Sequence, residues 1–276
     1  MVKETAMALI EQELVQKSGL WLPGMSLDHE HPVPTIDELV DHWVDTHGHT
    51  DVIEAPGVFG AVRTPDHTPT FVASIDLCEV VRHTKGSVLG VVGIPLSELE
   101  LSSTYHDAIS VNDEAMQPII QTLMHHDHIE PIEGIAAIGE IMRGWRKFGA
   151  YVVANTSTLP GCETATTAFL LKYLEGCFDG IVFPRNHDGA GPISKGHALS
   201  FLIAEFCDPE DVRALHIDDT FYHCNSVREH VGALVGPDRI STIMPLYPGS
   251  PAVPEGTIPA ESAMHAFLIA DSLVSS

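Results

Sequence analysis

The sequence predicts an α/β fold built on a doubly wound parallel sheet. Three observations carry that expectation. From Phe71 onward, short apolar, β-prone runs alternate with segments of helical period, the pattern of repeated strand–helix units. Three of those runs stop at Asp76, Asn155 and Asp218, which puts polar side chains at carboxyl ends of strands, where such sheets bind ligands. A largely polar stretch, residues 82–131, follows the first strand directly and would sit over that end as a cap.

Met7, Ile10, Leu14 and Val15 fall at near-helical spacing among Glu and Gln, so Met7 to Val15 reads as an amphipathic helix. Trp21 to Pro34 is loop, rich in Pro, Gly and His. A helix restarts over Thr35 to Val44, with Thr35 as N-cap and Glu38 in the capping-box position. Residues 45–70 are turn-rich, and residues 1–70 together are expected to form a helical and irregular N-terminal extension. The core is expected over 71–81 and 132–276, with 82–131 as a small cap inserted into it. Phe71 to Ile75 is the first strand. Glu133 to Phe148 is a helix through Ile135, Ile138, Ile141, Met142 and Trp145. Strands follow at 150–154, 180–183, 214–217 and 240–244, separated by helices at 165–174, 194–206 and 225–231. Pro245 to Pro259 is Pro- and Gly-rich loop, and Ala260 to Leu273 a final helix.

Apolar residues make up 44% of the chain, enough to build a core rather than a disordered polymer. Asp and Glu number 38 against 14 Lys and Arg, a formal charge of -24. That balance excludes an electrostatic footprint for duplex nucleic acid or an anionic membrane. A phosphorylated small molecule would need a local device, such as a metal or a placed Lys. The 17 His would offset some of the negative charge near pH 6. Cys78, Cys162, Cys177, Cys207 and Cys224 form no CxxC pair and are odd in number, so free thiols and a reducing compartment, the cytoplasm, are expected. No secretory h-region and no apolar run of about 20 residues is present.

Three elements carry chemistry. One strand ends in Asp76, Lys195 follows the Gly-rich loop Asp188-Gly189-Ala190-Gly191-Pro192 near a helix start, and another strand ends in Asp218-Asp219. Converging, they would offer three carboxylates and one ammonium. Hard divalent cations such as Mg2+ take such oxygen ligands. A carboxylate beside the metal can attack phosphorus, and a Lys can neutralise the phosphate. Each residue alone also fits a plainer role: Asp after a strand is a common turn or N-cap residue, and Lys195 would suit a helix surface.

In order and spacing these residues resemble the haloacid dehalogenase (HAD) superfamily of phosphohydrolases, over roughly residues 71 to 244. Asp76 falls at the first-motif nucleophile, Lys195 at the third-motif lysine and Asp218-Asp219 at the fourth-motif acidic pair. Glu130-Pro131-Ile132-Glu133-Gly134 looks like the segment after the cap in 5'-nucleotidase-like members. The resemblance implies a Rossmann-like core and a Mg2+-dependent phosphatase mechanism. It implies Asp76, the carbonyl of Cys78, Asp218 and Asp219 around the metal. It places Asn155, Thr156 and Lys195 around the phosphate. Two positions depart from the pattern. The family's general acid/base is an Asp two residues beyond the nucleophile, and Cys78 stands there, in what is a degenerate first motif. The Ser or Thr of the second motif aligns with Ala154, followed by Asn155, Thr156 and Ser157.

The expected function is therefore hydrolysis of a phosphomonoester, with a nucleotide as the expected substrate. The alternative is an impaired protein on the same scaffold that binds or sequesters a phosphorylated ligand without turnover. A dehalogenase fits less well, because that branch does not need the acidic pair kept here. The tracts His125-His126-Asp127-His128, Asp28-His29-Glu30-His31 and His47-Gly48-His49 suggest transition metals, but adjacent His diverge on a helix, and solvated faces are expected. Cys78 is expected as a small buried hydrophobe, His216 as a satisfied core or edge histidine, and Trp21, Trp43 and Trp145 as packing residues. Tyr105, His106 and Met116 in the cap could touch a base or sugar, and the N-terminal helices could cover a core edge or join a homo-oligomer.

Overall fold

A computed structural model describes residues 51–55, 58–84, 123–124, 129–158, 162–184, 194–247, 250 and 252–275. Its strands are β1 (Asp51–Ala55), β2 (Val58–Val62), β3 (Phe71–Ile75), β4 (Tyr151–Asn155), β5 (Gly180–Pro184), β6 (Arg213–Ile217), β7 (Ile240–Pro245) and β8 (Thr257–Ala260). Its helices are α1 (Ile135–Lys147), α2 (Glu163–Leu174), α3 (Lys195–Phe206), α4 (Phe221–Val235) and α5 (Ala263–Val274). The eight strands form one sheet in the order β1-β2-β5-β4-β3-β6-β7-β8. From β5 to β8 every pairing is parallel, which is the doubly wound α/β architecture the alternation predicts.

Strands β4 and β5 are buried at every residue, as a parallel sheet with helices on both faces requires. Side chains alternate between two cores. Val72, Tyr151 and Val153 pack with Ala198, Leu202 and Val227 of α3 and α4. Ala73, Ile75 and Val152 pack with Ile138, Trp145, Phe169 and Phe267 of α1, α2 and α5. Trp145 stacks on Phe267, with ring centroids 5.8 Å apart, and its Nε1 donates to Asp271 Oδ1 at 2.9 Å, so it is a packing residue with a satisfied polar tip.

Strand order fixes where a ligand can go. The chain leaves β3 for β4 on one side and later returns to β6 on the other. A crevice opens at the carboxyl end of β3, where the connections diverge.

Three differences from the sequence expectation stand out. Strands β1 and β2, in a stretch expected as part of a helical and irregular extension, pair antiparallel with each other, and β2 pairs antiparallel with β5. Val, Ile and Phe in those five-residue runs supply the β preference, and the turn-forming residues on either side obscured it. Strand β8 lies in the expected Pro- and Gly-rich loop. It is an edge strand, where Pro259 costs no central ladder bond. Helix α4 begins at Phe221 rather than Asn225, directly after Asp218-Asp219-Thr220. The expected N-terminal helices, most of the cap and the three His tracts lie outside the described residues.

Candidate active site

Asp76 and Asp218 each stand one residue past the end of a strand, and the two strands are neighbours. The register pairs Ile75 with Ile217, and the Asp76 N–H extends the ladder by donating to Ile217 O at 2.9 Å. The Asp218 N–H donates to Ile243 O at 3.2 Å, tying the next step to β7. Alternation then decides the remaining geometry: two carboxylates emerge side by side at the carboxyl end of the sheet.

Lys195 opens α3. Ser194 caps that helix, accepting the His197 N–H at 3.2 Å. The Lys195 side chain, 2% exposed, reaches back over the strand ends. Its Nζ donates to Asp76 Oδ1 at 2.5 Å and to Asp218 Oδ2 at 2.6 Å. Residue 196 has to be Gly, because a Cβ there would run into the carbonyl of Ser226 on α4. The close approach of α3 to α4 thus fixes the lysine's starting point. Asp219 completes the group, accepting the Thr220 hydroxyl at 3.1 Å, while Asp218 Oδ1 accepts the Thr220 N–H at 2.8 Å. Carboxylate oxygens of Asp76, Asp218 and Asp219 all lie within 4.8 Å of one another.

The charges do not balance among these groups. Burial works against the Lys195 ammonium, yet Asp218 and Asp76 raise its pKa above the usual range, so it stays protonated. Burial works against the Asp218 carboxylate too, but Lys195 holds its pKa well below the usual range. For Asp76, burial wins, with Lys195 opposing it, and pushes the carboxyl from 3.8 up to about 7. Three buried carboxylates against one ammonium leave negative charge that a hard divalent cation would neutralise, through oxygen donors of the type such ions prefer. The residues present therefore fit the Mg2+ that the resemblance implies.

A second layer lies beneath. Asn155, expected near the phosphate, is fully buried, and its Nδ2 donates to Ser74 Oγ at 3.2 Å and to the Lys195 carbonyl at 3.0 Å. Its amide thus anchors the backbone from which the lysine projects. His216, buried as expected, sets Nδ1 3.0 Å from Ser74 Oγ and Nε2 3.3 Å from Asp218 Oδ2. Thr156 follows β4, 1% exposed, with Oγ1 lacking a hydrogen-bond partner. At the first-motif departure, Cys78 is partly exposed rather than buried, and burial still pushes its thiol up, with Arg82 opposing. Its loop is a single tight turn: the N–H groups of Val80, Val81 and Arg82 all point to the Leu77 carbonyl, and Glu79 takes a left-handed φ of 57°. The Tyr247 hydroxyl donates to the Glu79 carbonyl and pins that turn.

Two residues near the site carried no sequence signal. His223, on the first turn of α4, is partly buried and kept neutral, its pKa lowered by burial to about 3. Arg82 folds back so that its Nη2 lies 3.4 Å from Cys78 Sγ. Nothing in the local sequence foretells either contact, because both depend on how a loop or helix turns after a strand.

No protein-family model matches the chain, and no curated protein matches it. Solved structures do. A haloacid dehalogenase-like hydrolase from Streptococcus pneumoniae aligns at a TM-score of 0.45 and 14% identity, over 73% of this chain and 98% of its own. CbbY from Rhodobacter sphaeroides, in complex with phosphate, aligns at a TM-score of 0.41 and 13% identity, over 71% of this chain and 95% of its own.

Proposed function

We propose that this chain is a HAD-type phosphohydrolase that acts on a phosphomonoester, with nucleotides as the first substrate class to examine. The observation that carries the reading is the Lys195 bridge between Asp76 and Asp218, with a third carboxylate beside it. A surface lysine and two turn aspartates would not be buried together, because desolvating such charges costs several kcal/mol unless function or pairing compensates.

In this mechanism a carboxylate oxygen of Asp76 attacks phosphorus. An Asp76–phosphorus bond forms as the bond from phosphorus to the leaving oxygen breaks, and that oxygen takes its proton from water. Water then attacks phosphorus, the bond to Asp76 breaks, and inorganic phosphate leaves with the carboxylate restored. Lys195 orients Asp76 and offsets charge on the phosphoryl oxygens. Asn155 holds the lysine's backbone, and Thr156 Oγ1 is the unengaged hydroxyl on that wall. Bound Mg2+, held by Asp76, Asp218, Asp219 and the carbonyl of Cys78, would supply further positive charge against the transferring group. The free cysteines fit a reducing compartment such as the cytoplasm.

Phosphate release from a panel of nucleoside monophosphates with Mg2+ is expected, and Asp76→Asn should lower it by more than about 10³-fold. Equal rates in the two proteins would remove Asp76 from the chemistry. Cys78 favours a second reading, since it stands where the family pattern has a carboxylic acid. In that case the chain binds phosphorylated ligands with Mg2+ and releases no phosphate until Cys78→Asp restores an acid.

A further inference from the structure

Beneath the acidic cluster, three fully buried polar side chains, Asn155, Ser74 and His216, stand in a line whose direction can be read. The Lys195 carbonyl can only accept, so the group 3.0 Å from it is the Asn155 amide nitrogen, which fixes the orientation of that amide. The same nitrogen donates to Ser74 Oγ at 3.2 Å. Ser74 has a single hydroxyl proton to give, and His216 Nδ1 lies 3.0 Å away. The other ring nitrogen, Nε2, is enclosed, and among the described residues it faces Asp218 Oδ2 at 3.3 Å without a closer hydrogen-bond partner. The line thus starts at the backbone of Lys195 and ends at the carboxylate that the ammonium of the same residue holds.

These contacts decide where the imidazole carries its proton. With the proton on Nε2, the ring accepts from Ser74 and turns an N–H toward a carboxylate. With the proton on Nδ1, the ring would donate to the Ser74 carbonyl at 3.2 Å. Nε2 would then turn a lone pair on a buried carboxylate, and the Ser74 proton would lose its acceptor. Both penalties fall where water is excluded and an unmatched polar group costs most.

Asp218 is left with little to offer. Each carboxylate oxygen has about two lone-pair sites. Oδ2 receives the Lys195 ammonium at 2.6 Å and faces the His216 ring. Among the described residues, Oδ1 receives the Thr220 N–H at 2.8 Å and keeps one site open. Mg2+ demands a near-ideal octahedron, which the narrow bite of a bidentate carboxylate spoils, whereas Ca2+ accepts a carboxylate through one oxygen or both. We infer that His216 is a positioning residue: with its proton on Nε2 it keeps Asp218 to a single free oxygen and so biases the site toward Mg2+ over Ca2+. This role rests on the reading of Asp76, Asp218 and Asp219 as a cation site, and adds a residue that acts through Asp218.

Two measurements test it. Heteronuclear NMR of the imidazole nitrogens in the metal-free chain should show a protonated Nε2 and an unprotonated Nδ1 for His216, whose signals are identified by their absence from His216→Gln. Calorimetry gives Mg2+ and Ca2+ dissociation constants for the unmodified chain and its variants. His216→Leu should lower the preference for Mg2+ over Ca2+ by about tenfold, in keeping with loss of a group that holds a metal-binding carboxylate. His216→Gln, which keeps a donor, should retain most of the preference. Ser74→Ala removes the proton donor to Nδ1 and should lower the preference in the same direction by a smaller factor. A merely structural role would weaken both ions alike, and that result overturns the positioning role, as does a proton found on Nδ1 of the unmodified chain. Where His216→Leu fails to fold, the position of the proton and the Ser74→Ala ratio decide. An unmodified chain that binds neither ion overturns the cation site and this role with it, whereas one that binds Mg2+ with a preference indifferent to His216 overturns the role alone.

Discussion

Asp76 is pulled in two directions. Burial raises its carboxyl from 3.8 to about 7, and Lys195 opposes the rise. A divalent cation needs the ionised form. Above about pH 7 the carboxylate is already present, whereas below it each ion bound must displace a proton. Calorimetric Mg2+ affinity is therefore expected to be about tenfold weaker at pH 6 than at pH 8, and Asp76→Asn should flatten that dependence. Equal affinity at the two pH values would show that the carboxyl titrates in its ordinary range. Asp76, Lys195, Asp218 and Asp219 were legible as a group because strands end where apolar runs stop, and charged residues there have little else to do. Asn155 was legible as a polar group at a strand end but not as an anchor, since its partners are a hydroxyl 81 residues away and a carbonyl 40 residues away. Arg82 was illegible, because its role depends on a turn around Leu77 that no periodicity announces.

Helix α3 shows how an element sets residue geometry. It begins with the lysine and touches α4 at Gly196. Gly196→Ala is expected to push the two helices apart and cost about 1–3 kcal/mol, as overpacking of a close contact does. Chemical denaturation should register the loss of stability, and weaker Mg2+-dependent ligand binding should accompany it because Lys195 shifts with the helix. Unchanged stability would mean that α4 yields without strain. Core helices and central strands were readable to within a few residues, since their period matches their burial. Elements towards the two ends of the sheet were not: β1 and β2 lie among turn-forming residues, and β8 contains a Pro that edge pairing tolerates.

At the scale of the whole molecule, a charge of -24 surrounds a site that would gather a cation and an anion together. The field concentrates Mg2+, and its effect reaches only about 10 Å at 0.1 M salt. Raising NaCl from about 20 to about 200 mM should weaken Mg2+ binding several-fold; an affinity indifferent to salt would confine the attraction to the buried carboxylates. Among the described residues no helix is long and apolar enough to cross a membrane. The central position of β3 also has a price during synthesis. Ser74 on β3 meets His216 on β6 across 142 residues of sequence. At about 5–20 residues per second, the ribosome spends on the order of ten seconds making the stretch between them. Throughout that interval β3 lacks at least one of its two neighbours. The chain is thus most exposed to misassociation before its carboxyl-terminal half emerges, and any fragment ending short of β6 inherits that exposure permanently.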